Sequence, residues 1–170
     1  MSDLTYVYSK SALWTQDSVR IAGLNAFTPP AITATIGKKK TTWYDMAVPV
    51  DNGLEPTQCE FKTDADPDVM IMFGFMPGQT ARVQARRTYR DSNGGLHVFV
   101  DELEGCVGTM TPEENGTDSK EGVGLSVIMN LSYYKLTIDN RVIYEIDPQN
   151  MNRTINGVNV LQDEKDALLM

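Results

Sequence analysis

The sequence predicts a mainly β fold, an antiparallel barrel or sandwich that carries one short α-helix and one long extended loop. Apolar and polar residues alternate with a period of two in several segments, as they do in half-buried strands. Tight-turn sequences separate these segments, and helices do not alternate with strands in a βαβ rhythm. We expect residues 1–170 to form a single domain with a sizeable core, an N-terminal arm (1–20) and a C-terminal tail (160–170).

The first third of the chain is predicted to contain extended segments and no helix. Residues 1–20 are mixed and polar, and we interpret them as an extended arm or a first strand. Residues 28–30 read Thr-Pro-Pro, which excludes a helix there. Residues 31–36 alternate apolar side chains with threonine and predict a strand. Residues 38–58 are marked by prolines and a glycine and predict the long extended loop.

The single predicted helix covers residues 67–76 and follows a predicted strand at 58–62. Asp66 is an N-cap residue, because its carboxylate accepts hydrogen bonds from the free N–H groups of the first turn. Pro67 suits the first helical position, and the Pro-Gly pair that begins at Pro77 ends the helix.

The same segment has an alternative interpretation as a calcium loop. Asp64, Asp66 and Asp68 have the spacing of the first three ligands of such a loop. The sixth and twelfth positions hold Val69 and Phe75, where the motif requires a glycine and an acidic residue. We therefore keep the helix-cap interpretation.

Two strands in the middle of the chain define a candidate polar face. Residues 82–90 and 96–105 flank a turn at 91–95, and antiparallel pairing about this turn places residues 82 and 84 opposite residues 104 and 102. This face is either an ordinary solvated sheet face or the lining of an aqueous channel in an oligomer. Its members are polar or charged: Arg82, Gln84, Arg86, Glu102 and Glu104.

The last third of the chain predicts a polar loop, a long strand and a hairpin. Residues 113–122 are polar and glycine-bearing, and residues 123–138 alternate over a long stretch. The pair Asp139-Asn140 separates two apolar-rich strands at 133–138 and 141–146, and these residue types tolerate the positive φ angles of tight hairpin turns.

Composition argues against several functions. The net charge is −8, with 15 basic and 23 acidic residues, whereas a protein that grips nucleic acid usually carries a basic face. The N-terminus lacks the pattern of a signal peptide, and no apolar run has the length of a membrane helix. Cys59 and Cys106 are predicted to be two buried thiols, and His97 a structural residue. We expect no catalytic, cofactor or metal site.

The segment 132–158 carries a more specific signal than any of these patterns. It contains a YKL triplet, an aspartate, an EID triplet, an asparagine and an INGV tetrapeptide in that order. In this order and spacing the segment resembles the C-terminal signature of major tail tube proteins from contractile-tailed phages and R-type pyocins. The matching residues are Tyr134, Lys135, Leu136, Asp139, Glu145, Ile146, Asp147 and Asn150, with Asn156 and Gly157 in the tetrapeptide.

Weaker matches extend the resemblance upstream. Residues 28–30 fit a proline-containing strand entry of the family, and residues 48–55 fit a PV-x-x-D-x-GLE-like stretch. Residues 37–47 read GKKKTTWYDMA where the family carries a glycine-rich loop. The resemblance therefore does not fix the stacking contacts of this segment.

The resemblance implies a structural role. Six subunits would form a ring whose sheets fuse into an inner barrel, and the rings would stack into a tube inside a contractile sheath. The implied partners are further copies of the chain, the sheath protein, baseplate and tail-terminator proteins, a tape-measure protein in the lumen, and DNA in transit without specific binding. The implied location is a phage tail, or a DNA-free pyocin-like particle, assembled in the host cytoplasm.

The resemblance also suggests which residues take part. The polar face defined above would line the lumen, which we expect to be acidic or at least not basic. The long loop would pack on a neighbouring subunit rather than on its own core, through Lys38, Lys39, Lys40, Trp43, Tyr44, Met46 and Leu54. Two alternatives remain at this point: a monomeric β-sandwich that binds a ligand such as a carbohydrate, and a tube protein of the type VI secretion kind.

Overall fold

The computed structural model describes residues 5–21, 23–72, 78–114 and 124–170. Twelve strands and two short helices are found in these ranges. They are β1 (Val7–Thr15), β2 (Arg20–Ile21), β3 (Leu24–Thr28), β4 (Ala34–Lys39), β5 (Val48–Leu54), β6 (Gln58–Asp64), α1 (Pro67–Met70), β7 (Ala81–Arg90), β8 (Leu96–Pro112), β9 (Gly124–Ile138), β10 (Arg141–Asp147), β11 (Asn152–Ile155), β12 (Val158–Asn159) and α2 (Gln162–Ala167), with a 3-10 helix at Pro148–Asn150.

Ten of the strands form one sheet. Eight of them follow the order β12-β11-β10-β9-β8-β7-β1-β2, and every neighbouring pair is antiparallel. The long strand β9 leaves this path at its N-terminal end, where it pairs with β6, and β6 in turn pairs with β3. The strands β4 and β5 form a separate two-stranded sheet. The predicted mainly β, antiparallel class is confirmed.

The core lies between the main sheet and the β3–β6 branch. Alternate side chains of the strands point into it, as the period of two requires. The buried apolar residues are Leu13, Ile21, Cys59, Phe61, Val69, Val83, Ala85, Leu103, Val107, Leu125, Val127, Met129 and Tyr134. Within the described part of the chain, no helix is both long and apolar enough to cross a membrane.

One ion pair lies inside this core. Asp101 is fully buried, and its Oδ2 accepts from Nε and Nη2 of Arg87, each at 2.8 Å. The hydroxyl of Tyr134 donates to the other oxygen, Oδ1, at 2.9 Å. Burial raises the pKa of Asp101, while Arg87 and Tyr134 oppose that rise by stabilising the carboxylate. Both oxygens of a buried charge are thus satisfied.

Several sequence predictions are confirmed at the level of single residues. Asp139 and Asn140 have φ angles of 47° and 64°, as a tight hairpin turn requires. The side chain of Asp66 caps α1 by accepting from the N–H of Asp68 at 2.9 Å. Residues 7–15 of the predicted arm form a strand, the second of the two interpretations of that segment.

The predicted long loop at 38–58 is wrong. Residues 48–54 form β5, which pairs with β4 in a hairpin, and Pro49 lies directly opposite Lys38. Proline is tolerated here because both strands are edge strands, so its missing N–H breaks no central ladder. The glycine of this segment, Gly53, has a φ of 107° and lies at a bulge, where residues 52 and 53 of β5 lie opposite the single residue 35 of β4.

Three further predictions are wrong or fall partly on residues that the structure does not describe. The tail contains the short helix α2, which was not predicted. Cys59 is buried, and burial raises the pKa of its thiol to about 12, but Cys106 is exposed. The described helix α1 ends at Met70, and residues 73–76 of the predicted helix lie outside the described residues, as do residues 115–122 of the predicted polar loop.

Candidate functional site

The polar face predicted on β7 and β8 exists in the expected register. Arg82 lies opposite Glu104 and Gln84 opposite Glu102, while Arg86 lies opposite Val100. The residues between these positions point into the core. The five predicted residues therefore share one face of the sheet, and it is the face that turns away from the core.

This face continues across the neighbouring strands in rows of directly opposed residues. The central row runs through all eight strands of this path, and the charges of its three central members alternate: Glu102, Lys135 and Glu145. From β2 to β12 the row consists of Arg20, Trp14, Gln84, Glu102, Lys135, Glu145, Thr154 and Asn159. The sequence pattern assigns Lys135 and Glu145 only to the family signature and does not predict their place in this row.

We define the outer face as the three adjacent rows on β7 to β10 that contain Arg82, Gln84 and Arg86. Three acidic and three basic side chains belong to these rows, so the net charge of the outer face is zero. They are Glu102, Glu104 and Glu145, and Arg82, Arg86 and Lys135. The net charge of −8 of the whole chain thus resides elsewhere.

Hydrogen bonds fix parts of the outer face. Nε of Arg86 donates to Oε1 of Gln84 at 3.1 Å, and Nε2 of Gln84 donates to Oε1 of Glu102 at 3.5 Å. The hydroxyl of Tyr133 donates to Oε1 of Glu145 at 3.3 Å. Burial, together with the charges of Glu145 and Glu102, raises the pKa of Tyr133 to about 12, so this phenol stays protonated and remains a donor at neutral pH.

The signature residues take structural positions in and around two tight turns. Asp139 starts the β9–β10 turn, and its Oδ1 accepts from the N–H of Val98 on β8 at 2.9 Å. Asn156 and Gly157 form the β11–β12 turn with φ angles of 50° and 83°. Nδ2 of Asn150 donates to the Asp147 carboxylate at 2.6 Å where β10 ends. Leu136 and Ile146 pack against the core from their strands.

His97 joins the two neighbouring hairpin turns. Its Nδ1 lies 2.6 Å from Oδ2 of Asp139, and its Nε2 lies 2.9 Å from Oδ2 of Asp91 in the turn between β7 and β8. The rings of Tyr6 and His97 pack edge to face at a centroid distance of 4.8 Å. Both ring nitrogens face carboxylate oxygens, so both donate when the imidazole is protonated. The sequence prediction of a structural histidine agrees with this position.

These contacts predict a pH dependence. Hydrogen bonds to Asp139 and Asp91 raise the pKa of His97 above its usual value of about 6.5. The stabilisation from the charged histidine is complete below about pH 6.5 and is lost as the pH rises through the raised value. We expect the NMR titration of the His97 ring to have a midpoint above 6.5, and Asp139→Asn to lower it.

The matched control for that titration is Asp147→Asn, which removes a turn carboxylate whose partner is Asn150 and should leave the midpoint unchanged. A wild-type midpoint at or below 6.5 would contradict the imidazolium assignment.

The β4–β5 hairpin is the second candidate surface. At its tip Trp43 is 80% exposed and Met46 is 77% exposed, and the rings of Trp43 and Tyr44 meet edge to face at 4.8 Å. Six of the seven predicted loop residues lie at or next to this tip, with Lys38, Lys39 and Lys40 exposed.

The base of the hairpin contacts the rest of the subunit. Leu54, the seventh predicted residue, lines a groove of about 430 Å³ together with Tyr134 and Ile146 of the main sheet. Asp51 pairs with Arg153 on β11 at 3.0 Å, and the N–H of Gly53 together with Arg153 lowers the pKa of Asp51. The hairpin is therefore anchored to the subunit at its base, while the apolar side chains at its tip are exposed to solvent.

The described residues offer no group of three or more His, Cys, Asp or Glu side chains placed to hold a metal ion. The carboxylate of Asp66 serves the α1 cap instead. The two surfaces described above are thus the candidate functional features: one polar and charge-balanced, the other apolar and projecting.

Comparison with known proteins identifies the kind of molecule that carries them. The fold is similar to that of a chain in the sheath/tube terminator of an extracellular contractile injection system, PVC, in its extended state, with a TM-score of 0.57 and 8% identity over 76% of this chain and 93% of the other. A chain of the PVC sheath-tube complex gives 0.56 and 8% over 76% and 88%. A chain of the anti-feeding prophage baseplate gives 0.52 and 5% over 75% and 90%.

At these identities the structures show a shared fold. A sequence comparison with curated proteins finds no significant match. The family model of the phage tail tube protein FII matches residues 10–168, nearly the whole chain, and includes both candidate surfaces. The chain therefore belongs to the phage tail tube protein FII family and is a subunit of a tail tube.

Proposed function

We propose that six copies of this subunit form a ring, and that the rings stack into a hollow tube inside a contractile sheath. The observation that carries this proposal is the arrangement of the two surfaces. A charge-balanced polar face suits the lining of a water-filled channel, and a projecting hairpin with an uncovered apolar tip suits a contact with another copy. The action is mechanical rather than catalytic: contraction of the sheath drives the tube through the host envelope.

The proposed partners follow from the family and from the particles in which the similar chains occur. Those particles contain a sheath, a tube terminator and a baseplate, and we propose the corresponding contacts for this chain. A tape-measure protein, and DNA where the particle is a phage, would occupy the lumen without specific binding. Residues 1–170 act as one domain in the tail of a virion or of a pyocin-like particle that is assembled in the host cytoplasm.

The outer face is proposed as the wall of the lumen. It turns away from the core, and it is built on four adjacent strands that could continue into the sheets of neighbouring copies. Its zero net charge provides no basic patch that would hold phosphates. The sequence predicts a lumen that is acidic or at least not basic, and we propose that the rows from β7 to β10 contribute a neutral part of it.

Assembly is tested by imaging the purified protein at high concentration by negative-stain electron microscopy, alone and with its sheath and baseplate partners. Six-fold rings and stacked tubes are expected. A protein that stays monomeric in every one of these conditions would overturn the proposal.

Charge reversal on the outer face tests its place in the lumen. Glu102→Lys with Glu104→Lys changes the net charge of this face from zero to +4, since each replacement adds two charges. Subunit stability should change by less than ~1 kcal/mol per site, because both side chains are only half-buried on a face that turns away from the core, where charge pairs contribute little. Assembled tubes should retain added nucleic acid, and the retained amount should fall as salt rises.

The matched control for charge reversal is Glu113→Lys with Glu114→Lys, two exposed residues that follow β8 and lie outside the three rows. Tubes of this variant should retain no more nucleic acid than wild type after washing. Equal retention by both variants would place the outer face elsewhere than in the lumen.

A further inference from the structure

The segment around α2 exposes apolar side chains to solvent. Leu169 is 94% exposed, and three further apolar residues of this segment are more than half exposed: Val160, Leu168 and Met170. Three exposed carboxylates lie among them. We define the α2 patch as these seven residues, the acidic ones being Asp163, Glu164 and Asp166. An apolar surface of this kind, with charged groups beside it, is typical of a contact with another protein.

Helical spacing mixes the charged and apolar members of the α2 patch. The N–H of Leu168 donates to the carbonyl of Glu164 at 3.1 Å, so these two side chains lie one helical turn apart on the same face. Leu161 and Lys165, also four residues apart, are half-buried and mark the face that turns toward the subunit. The patch is therefore the face of this segment that is directed to solvent.

The backbone holds Leu169 in its exposed position at a conformational cost. Leu169 has a φ of 59°, in the left-handed region where the residue after a helix is usually glycine. Its N–H donates to the carbonyl of Asp166 at 3.1 Å. The N–H of Met170 donates to that of Lys165 at 3.2 Å, which completes the hydrogen-bond pattern of a Schellman motif. The strain brings almost no burial of the leucine within the subunit, which indicates a contact with a partner.

The tip of the β4–β5 hairpin has the complementary composition. Residues 38–47 include three lysines and one aspartate, for a net charge of +2, whereas residues 160–170 include three carboxylates and one lysine, for a net charge of −2. Exposed apolar side chains lie beside the charges in both segments, and in the hairpin they include Trp43 and Met46. The two surfaces therefore combine apolar contact with opposite charge.

Two apolar-lined grooves offer the hairpin an alternative docking site. Each has a volume of about 430 Å³, and Arg87 lines both of them, while Arg153 lines the first. Among the described residues, no carboxylate lines either groove. The grooves thus offer no partner for the lysines at the tip, whereas the α2 patch offers three.

We propose that the tip of the β4–β5 hairpin of one copy docks on the α2 patch of another copy. This inference rests on the proposed function, which gives the hairpin a contact with another copy without naming the surface that receives it. The contact lies between copies, because Trp43 and Leu169 are both at least 80% exposed within one subunit. Hairpin and patch are different surfaces, so each copy donates one contact and receives another. Such a contact repeats from copy to copy, as the stacking of rings requires.

Leu169→Gly separates docking from folding, because it should move the two in opposite directions. Glycine relieves the strain at the positive φ, so the thermal unfolding midpoint should stay the same or rise. The apolar side chain is lost from the contact, so the protein concentration needed for tube formation should rise by roughly 10-fold or more. The control is Ile71→Ala, which truncates a side chain that is 75% exposed next to α1 and should assemble as wild type.

Charge exchange tests the pairing of the two surfaces. The hairpin variant carries Lys38→Glu, Lys39→Glu and Lys40→Glu. The patch variant carries Asp163→Lys, Glu164→Lys and Asp166→Lys. In either variant alone, like charges meet at every contact, and the protein concentration needed for tube formation should rise by roughly 100-fold or more.

Opposite charges meet again when the two sets of replacements are combined in one chain. This combined variant should assemble at a concentration within roughly 10-fold of that of wild type. A 1:1 mixture of the hairpin variant and the patch variant makes the same complementary contacts and should also assemble. The mixture tests the pairing without placing all of the replacements in one subunit.

Folding of each variant is checked by circular dichroism, because lysine in the first turn of α2 opposes the helix dipole. A neutral patch variant is measured in parallel and carries Asp163→Asn, Glu164→Gln and Asp166→Asn. It removes the attraction without adding repulsion, so it should weaken assembly by less than the lysine replacements do. Equal weakening by the two patch variants would overturn the pairing of charges.

The outcomes separate this inference from the proposed function. Wild-type tubes together with unimpaired assembly of the hairpin, patch and Leu169→Gly variants would overturn the docking and leave the tube intact. Impaired single variants that neither the combined variant nor the 1:1 mixture restores would show that hairpin and patch meet other surfaces, and would also overturn it. If wild type assembles in no condition, the proposed function fails, and the docking between copies fails with it.

Discussion

Replacing Asp101 with asparagine is expected to lower the free energy of unfolding of the subunit by about 3–5 kcal/mol. The carboxylate is fully buried and is the counter-charge of Arg87. An amide of nearly the same shape keeps the site filled but leaves the guanidinium buried without a partner of opposite charge. Urea denaturation followed by circular dichroism measures the difference.

The neighbouring residue supplies the matched control. Glu102 is the next residue on the same strand but lies on the outer face, so Glu102→Gln should change the free energy of unfolding by less than ~0.5 kcal/mol. Replacing both partners by apolar residues, Arg87→Met with Asp101→Leu, should recover most of the lost stability, because no unpaired charge remains. Equal losses for Asp101→Asn and Glu102→Gln would contradict the buried ion pair.

Shortening the β4–β5 hairpin is expected to abolish tube growth and to leave a folded subunit. In the variant, an Asn-Gly pair replaces residues 40–47 and forms a two-residue turn between Lys39 and Val48. These two residues lie directly opposite each other in the hairpin. The removed residues include the exposed Trp43 and Met46, whereas the anchors at the base of the hairpin remain. Electron microscopy should show no tubes. The thermal unfolding midpoint should stay within a few degrees of the wild-type value, which corresponds to a change of about 1 kcal/mol in the free energy of unfolding.

Point variants separate the tip from the base of the hairpin. Trp43→Ala with Met46→Ala should weaken tube growth without loss of stability, because both side chains lie in solvent in the isolated subunit. Leu54→Ala should instead lower subunit stability, since Leu54 is half-buried where it lines a groove together with Tyr134 of the main sheet. A shortened hairpin that unfolds the subunit would show that the tip belongs to the core.

The sequence was most informative where a short turn fixes the pairing of two adjacent strands. The turn at 91–95 determines the register of β7 and β8, and the pair Asp139-Asn140 determines that of β9 and β10. In both places the side-chain alternation predicted which residues share a face. Period-two alternation along β8 also places Cys106 on the same face as Glu104, although cysteine as a residue type is usually buried.

The sequence was least informative where strands are separated by long turns or bulges. The β4–β5 hairpin has eight residues between its strands and a proline within β5, so local signals favour a loop. The central row on the outer face was missed because bulges near Glu104 and Val142 shift the register of β9 against both of its neighbours. The helix α2 is six residues long, and a segment this short does not show the periodic pattern from which a helix is predicted.

The separate sheet of the β4–β5 hairpin has a consequence for how the sequences of such tube proteins change during evolution. Because the hairpin shares only its base with the main sheet, substitutions at 40–47 leave the packing of the core untouched. In the resemblance drawn from the sequence, residues 37–47 are also where this chain differs from the family pattern. Under the proposed contact between the hairpin and a neighbouring copy, substitutions here change recognition between rings at little cost to folding. Two related particles produced in one cell would then build separate tubes, because the hairpins of one would not fit the rings of the other.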